Sequence, residues 1–281
     1  MKALRMLAAV MVATVAASGC ASMSPGGAPP STLDKIKASK TMAIGYRTSS
    51  IPFSYTDKDG KPVGYSIDLC TRVFEDVRTR LQMPDLQAKW VPVTVETRFS
   101  ALLDGTIDIE CGSTTNTLSR QEQVDFSLTT FVDGASLLGH ANLGKDADLR
   151  TVRIAVIPGT TTERVVKEAV AAAGNTGAAS VVTVKDHAEG LAAIERQAAD
   201  VYASDRVILM GLAMSAPDPS RFALLDRYLS YEPYGLAMRR GDPAFRLVVN
   251  RVLARLYRGG GISGIYNKWF AKWGLPSDLL I

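Results

Sequence analysis

What this 281-residue sequence has little of narrows its chemistry before any motif is read. There are two histidines, His140 and His187, and no metal-ligand spacing joins either of them to a cysteine or to each other. The chain contains no G-x-S-x-G elbow and no G-x-x-x-x-G-K-[ST] loop, so a serine nucleophile of that type and a P-loop nucleotide site both lack support. A G-x-G-x-x-G string does occur, in "GGGISG" at 259–264. It follows a helical pattern and not a strand, so it reads as a break between two C-terminal helices. Excess charge is lacking as well. Lys+Arg 32 against Asp+Glu 28 gives +4, and Lys2 and Arg5 in the extreme N-terminal segment supply half of that. The rest lacks the basic stripe that nucleic-acid binding requires. Neither a nucleic-acid partner nor a cofactor nor a metal is expected.

Long hydrophobic runs are missing too. The stretch from Met6 to Ala17 is apolar but too short for a membrane span. With its basic start and small residues at the end it has the layout of a secretory signal, expected over residues 1–19. The ending "ASGC" resembles a bacterial lipobox, in which Cys20 becomes the lipidated first residue. Membrane association would then be by lipid anchor only, and plain cleavage to a free periplasmic protein is the alternative. "ASMSPGGAPPS" has nothing to bury, so residues 20–40 read as anchor cysteine and flexible tether, adding nothing to the fold. An oxidising compartment permits a disulfide between the two remaining cysteines, Cys70 and Cys111; two small buried apolar residues is the other reading.

From Thr41 onward, short β-type runs alternate with segments of helical period, which argues an α/β fold with mainly parallel sheet. One helix is expected over 66–82, with Ile67, Cys70, Phe74, Val77 and Leu81 on its apolar face. Another follows Asp242, with Phe245, Val248, Val249, Val252 and Leu256 as its stripe. The alternation runs twice, and two extended segments, "TTFVDGASLLGH" and "YLSYEPYGLAMRR", separate the runs. They read as two strands joining two lobes: 41–133 and 233–281 in the first, 134–232 in the second. That is the layout of a protein whose cleft closes by a hinge.

Capping-box spacing marks three helix starts: Ser119 with Glu122, Thr160 with Glu163, and Asp186 with Glu189. Arg98 and Arg120 fall in first turns, where the helix dipole disfavours a cation, so each needs an anion. Glu122 and Asp125 are protein candidates for Arg120. The alternative is a ligand, since "CGSTTN" places a row of small donors and acceptors just before it. "PGTTTERVV" adds a glycine-bearing turn and a helix N-terminus that suits an anion.

These residues carry a family likeness. "GYRTSSIPFSY", "PVGYSIDLC", "ALLDGTIDIECGSTTNTLSRQEQVDFS", "GTTTERVV", "KDHAEGLAAIE" and "GISGIYNKWF" together resemble the family 3 periplasmic solute-binding proteins of ABC amino-acid importers, and within them the glutamate/aspartate binders. The resemblance runs from Thr41 to Trp273. It implies the two-lobed type II periplasmic-binding-protein fold, no catalysis, an acidic L-amino acid as ligand, inner-membrane permease subunits as partners, and a monomer. It implies further that Arg120, with Ser113 and Thr115, holds the α-carboxylate and that Asp205 receives the α-ammonium. Arg47 and Arg98, helped by His187, would bind the side-chain carboxylate, with Thr160 and Thr161 contacting from the second lobe. Two departures stand out: Val95 replaces a serine, and Leu236 replaces the cysteine partner of Cys111, a place Cys70 could take.

Charge counting points the same way. Three arginines against Asp205 leave an excess of positive charge, and a neutral amino acid would leave an arginine without an anion in a closed cleft. The rival readings are a binder of another polar amino acid such as glutamine, a dehydratase on the same fold with Asp205 or Glu110 as its acid, and a ligand sensor reporting to a receptor.

Overall fold

A computed structural model describes residues 30–143, 148–174 and 181–275; the signal segment, Cys20 and residues 276–281 lie outside the described residues. The first described helix, α1 (Thr32–Ser39), corrects the sequence reading of 20–40 as tether. Ser31 caps it by accepting from the Asp34 amide, and Ile36 is fully buried. The Thr32 amide donates to Asp242 Oδ2 at 2.6 Å, and Lys35 pairs with Asp108 at 2.7 Å. The capping serine and the apolar Leu33–Ile36 pair, the first half-buried and the second buried, were in the sequence, but the Pro/Gly/Ser stretch before them hid where the tether stops.

The first lobe is built on a five-stranded sheet. Its strands are β1 (Thr41–Tyr46), β5 (Gln87–Pro92), β6 (Ile109–Cys111), β7 (Val124–Phe126) and β15 (Ala237–Arg239), in the order β5-β1-β6-β15-β7. A small ribbon of β2 (Ser49–Ser50), β3 (Ser54–Thr56) and β4 (Pro62–Val63) lies beside it. Its helices are α2 (Tyr65–Arg80), α3 (Arg98–Leu103) and the short α4 (Leu118–Gln121), with α8 (Pro243–Arg258) and α9 (Gly261–Phe270) on the return. The second lobe has the sheet β11-β10-β12-β9-β13, made of β9 (Ala135–His140), β10 (Ile154–Val156), β11 (Val181–Thr183), β12 (Val201–Asp205) and β13 (Phe222–Leu224). Helices α5 (Thr161–Ala172), α6 (His187–Glu195) and α7 (Arg206–Ser215) flank it.

Each sheet is mixed. Three strands pair in parallel, β5-β1-β6 and β11-β10-β12, and the strands that break the pattern are β15 and β9. Both follow directly on the two strands that connect the lobes, β8 (Phe131–Asp133) and β14 (Glu232–Tyr234), which pair antiparallel as Glu232↔Asp133 and Tyr234↔Phe131. A chain that has just crossed from the other lobe enters the sheet against the direction of the strands already there.

The apolar stripes fall where the periodicity put them. Ile67, Cys70, Phe74 and Val77 of α2 are buried, as are Phe245, Val248, Val249 and Val252 of α8. The connecting strands are anchored by aromatic rings. Phe131 and Tyr234 lie 4.9 and 5.1 Å from Phe53 by ring centroid, and the Tyr65 hydroxyl donates to the Thr130 carbonyl at 2.7 Å. Gly260, at φ 71°, separates α8 from α9 in the "GGGISG" segment.

Cys70 and Cys111 are joined, tying α2 to β6 across a sequence separation of 41 residues. Closing a loop of that length restricts the unfolded chain by about 4 kcal/mol in the entropic account, so the paired substitution of both cysteines by alanine should lower stability by about 2–4 kcal/mol. Denaturant unfolding with and without reductant measures it; an unchanged midpoint would show that the bridge adds nothing.

Candidate functional site

Parallel strands place their C-terminal ends, and the helix N-termini that follow, along one edge of a sheet, and α/β proteins bind in the crevice outside that edge. Here two such edges face each other. From the first lobe come Arg47, next after β1, Arg98 at the start of α3, the loop Ser113–Thr115 after β6, and Arg120 in α4. From the second come Thr160 and Thr161 at the start of α5, His187 at the start of α6, and Asp205, which ends β12 and precedes α7. One cavity brings all nine together, with Val95, Thr162, Ser204 and Ile208 completing its wall.

The loop 113–116 is stitched to a connecting strand. Thr115 bridges to Tyr234, the Asn116 amide donates to the Pro233 carbonyl at 2.7 Å, and Gly235 donates back to Thr114 at 3.1 Å. Any change in the path of β14 therefore moves this wall of the cavity.

The arginines are buried, at 5, 4 and 9% exposure for Arg47, Arg98 and Arg120. Arg98 Nη1 donates to Thr114 Oγ1 at 2.8 Å, while its Nε has no partner among the described residues. Arg120 Nη1 donates to the Thr115 carbonyl at 2.9 Å, and Nη2 reaches across the cleft to the Gly159 carbonyl at 3.4 Å. The Arg47 guanidinium makes no hydrogen bond to a described residue; its backbone amide donates to Ser54 Oγ. Both Arg98 and Arg120 lie near the Phe99 ring, at 4.9 and 5.9 Å from its centroid. Burial lowers the pKa of all three, and for Arg98, with Arg120 beside it, to about 9. Among the described residues Arg120 makes no ion pair with Glu122 or Asp125, the acids the sequence offered it, and Asp125 pairs with Arg246 instead.

Facing them is an acid. Asp205 accepts from the Tyr234 hydroxyl and from Thr162 Oγ1, the latter at 3.3 Å. Burial, with Asp133 and Glu232 close by, pushes its carboxyl up to about 8. Asp133 is pushed up to about 7, also by burial, although the Gly134 and Val207 amides donate to it. Glu232 Oε2 accepts from Thr161 Oγ1 at 2.7 Å, and that hydroxyl lies 3.4 Å from Thr115 Oγ1, so a connecting strand and both lobes meet at one threonine. His187 Nδ1 lies 2.7 Å from the Tyr202 hydroxyl; burial, then Arg47, holds its pKa down to about 3, so it is neutral. His140 is elsewhere, stacked on Phe222 in the second lobe.

Thr160 and Asp186 cap their helices as the spacing required, accepting from the Glu163 and Glu189 amides at 3.0 and 2.8 Å. The third expected box is corrected. Thr117, not Ser119, caps α4 by accepting from the Arg120 amide, which turns Arg120 inward. Residue patterns also missed part of the buried polar shell behind the cavity, Tyr202, Glu232 and Tyr234, while Glu110 was weighed only as a dehydratase acid and Thr114 only as one of the hydroxyl row. Glu110 stands in "TIDIE", where alternation assigns it and Asp108 to the face opposite the isoleucines, yet both are buried.

Residues 42–272 match the profile of the bacterial extracellular solute-binding proteins, family 3. The L-glutamate/L-aspartate-binding protein of Pseudomonas aeruginosa is 39% identical over 251 residues, 88% of this chain and 82% of that one. The glutamate/aspartate import solute-binding protein of Escherichia coli K12 is 36% identical over 245 residues, covering 86% and 79%. Among solved structures, the ancestral amino acid-binding protein AncCDT-1, a precursor of cyclohexadienyl dehydratase, superposes with a TM-score of 0.72 at 27% identity, over 86% of this chain and all 100% of that one.

A carboxyl whose pKa is raised by folding keeps a proton that the unfolded chain has already released, so stability falls as pH rises through that window. For Asp205 and Asp133 that window runs from the ordinary carboxylate range up to about pH 7–8 and closes above it; below about pH 6.5 the neutral His187 opposes it, so the fall is clearest between about pH 6.5 and 8. The ligand-free protein should lose stability there by up to about 1.4 kcal/mol per pH unit for each proton, and Asp205→Asn should remove much of the slope. Chemical denaturation at about pH 6.5, 7, 8 and 9 tests this: stability should fall up to pH 8 and level off by pH 9, and a flat wild-type profile between about pH 6.5 and 8 would contradict it.

Proposed function

The chain belongs to the bacterial extracellular solute-binding proteins of family 3, and from that membership we propose that it captures glutamate or aspartate outside the cytoplasm and delivers it to the permease of an ABC importer. The observation that carries the substrate is the cavity wall of three buried guanidiniums, one of them with no hydrogen-bond partner among the described residues, opposite a single lining carboxylate. An acidic amino acid fits that pattern with each group answered. Arg120, Ser113 and Thr115 receive the α-carboxylate, Asp205 the α-ammonium, and Arg47 and Arg98 the side-chain carboxylate. His187, neutral, adds a ring N–H or lone pair without adding charge. Charge-assisted Arg–carboxylate bonds are worth about 1.5–3 kcal/mol each, so two of them go far toward micromolar affinity.

Closure is the second half of the proposal. Arg120 to Gly159, Thr115 to Thr161 and Thr161 to Glu232 are contacts made across the cleft or onto a connecting strand. A ligand held by Arg120 on one side and Asp205 on the other adds to them, and the closed state gains in proportion to that difference in contacts. The proposed setting is the periplasm, with Cys20 as lipid anchor, the protein acting as a monomer and without catalysis.

One observation favours a second reading. Asp205 lies buried in the cleft, where burial raises its carboxyl to about 8 and favours the protonated form that a dehydratase on this fold would need. Both its oxygens are already bonded, by Tyr234 and Thr162, which suits a carboxylate awaiting an ammonium better than an acid aimed at a leaving group. Product formation from an arogenate-like acid would establish the enzyme reading.

Calorimetry on the soluble form, refolded to strip carried-over ligand, tests the assignment. Arg120→Ala should abolish measurable binding of every amino acid, and near-wild-type affinity would sink its role. Arg47→Ala should weaken glutamate by about 100-fold and glutamine far less; equal losses would refute the side-chain assignment. Because the ammonium needs Asp205 ionised, binding at pH 6.5 should release close to one proton, and the release should shrink as pH rises through about 8. Titrations in buffers of different ionisation enthalpy read this directly, and pH-independent proton release would count against the Asp205–ammonium contact.

A further inference from the structure

The half of the cavity lined by Arg47 and Arg98 contains more than its lining residues reveal. Behind it, on β6, Glu110 is completely buried, and neither carboxylate oxygen has a hydrogen-bond partner among the described residues. A charged group in that state is expensive unless other charges hold it. The charges available are the arginines: that of Glu110 acts on Arg47, Arg98 and Arg120 alike. Its closeness to Arg47 is built into the backbone. A Cβ on Gly112 would fall 2.2 Å from Glu110 Oε1 and 3.0 Å from Arg47 Cγ, so the glycine is what lets the acid and the arginine occupy the same corner. Asp186 also reaches Arg47, but its carboxylate is engaged as the cap of α6.

We propose that Glu110 is the fixed counter-charge of the Arg47–Arg98 half of the site and limits it to one negative charge from the ligand. Two guanidiniums and one carboxylate leave this half at a formal +1. A side-chain monoanion completes it, a neutral amide leaves it one short, and a dianion overfills it. Glu110 does this without touching the ligand, so it is a specificity-determining residue that acts through the arginines. The inference rests on the acidic-amino-acid reading above and deepens it, since it explains why a monocarboxylate side chain suits a site with two distal arginines.

The test compares wild type and Glu110→Gln by calorimetry at pH 8 with glutamate, glutamine and O-phosphoserine, whose phosphate is a dianion at that pH. Removing one buried charge whose field acts on both arginines should raise the phosphoserine-to-glutamate affinity ratio on the order of tenfold over wild type and weaken glutamine relative to glutamate. Glu110→Asp, which keeps the charge, should hold the ratio within about threefold of wild type. Equal loss for all three ligands in Glu110→Gln would overturn the proposal and leave Glu110 a structural residue. If the ligand-free variant does not fold, the same comparison is made by thermal shift with each ligand present: greater rescue by phosphoserine than by glutamate supports the proposal, and equal rescue or none overturns it. The acidic-substrate reading fails separately, if wild type itself prefers glutamine; the change of ratio between wild type and variant still judges Glu110.

Discussion

Three guanidinium groups withdrawn from water on one wall of a cleft are the constraint around which this protein is arranged. An arginine at the surface is solvated cheaply. One at 4–9% exposure must be answered by aromatic faces, carbonyls or anions, or its charge becomes a penalty on the fold. Phe99, the Thr115 and Gly159 carbonyls and Thr114 supply part of the answer. What remains is a positive field of fixed shape directed into the cavity, and a ligand with carboxylates at the right separation is the natural completion of it. The affinity of such a site comes from penalties already incurred in the ligand-free protein and relieved on binding.

The opposite wall has the complementary problem. Asp205, Asp133 and Glu232 are carboxylates gathered where the two connecting strands meet the second lobe, and their bonds run to neutral hydroxyls and amides. A proton resolves the conflict in the empty site, and an ammonium would resolve it in the filled one. Tyr234 ties this acid to the hinge, because its ring packs in the aromatic cluster with Phe53 while its hydroxyl donates to Asp205. Site electrostatics and lobe connection thus share a residue, which is how occupancy would be communicated to the angle between lobes.

Much of this was legible in the chain. Arg98 and Arg120 were identified because cations stood in helix first turns, where the dipole disfavours them, whereas Arg47, Asp205 and His187 were assigned by the resemblance to the family 3 binders. Val95 was noted for its departure from the resembling family, and it does line the cavity. Glu232 was not read as part of the site, since an extended polar segment makes it look solvent-facing, and Glu110 was weighed only as the acid of a dehydratase, since strand alternation sets it opposite the isoleucines. The mistaken cap at Ser119 has a similar origin: Thr117, Ser119 and Glu122 all satisfy local spacing, and only the packing of Arg120 against the cleft selects Thr117. The helix at Thr32–Ser39 was hidden by composition, because its partners, Asp108 and Asp242, lie far along the chain.

By itself the sequence determined the alternation of strands and helices, the apolar stripes, the helix caps at Thr160 and Asp186, and the inventory of charges, because each of these depends on neighbours within about one helical turn or one strand. The tertiary structure alone decided which carboxylate faces which arginine, that Cys70 meets Cys111, that each sheet takes one antiparallel strand from the crossing chain, and that Glu110 is buried behind the arginines. Those outcomes depend on desolvation and on contacts between residues 40 to 200 positions apart, and no local pattern encodes the dielectric a side chain will meet once two lobes have folded around it.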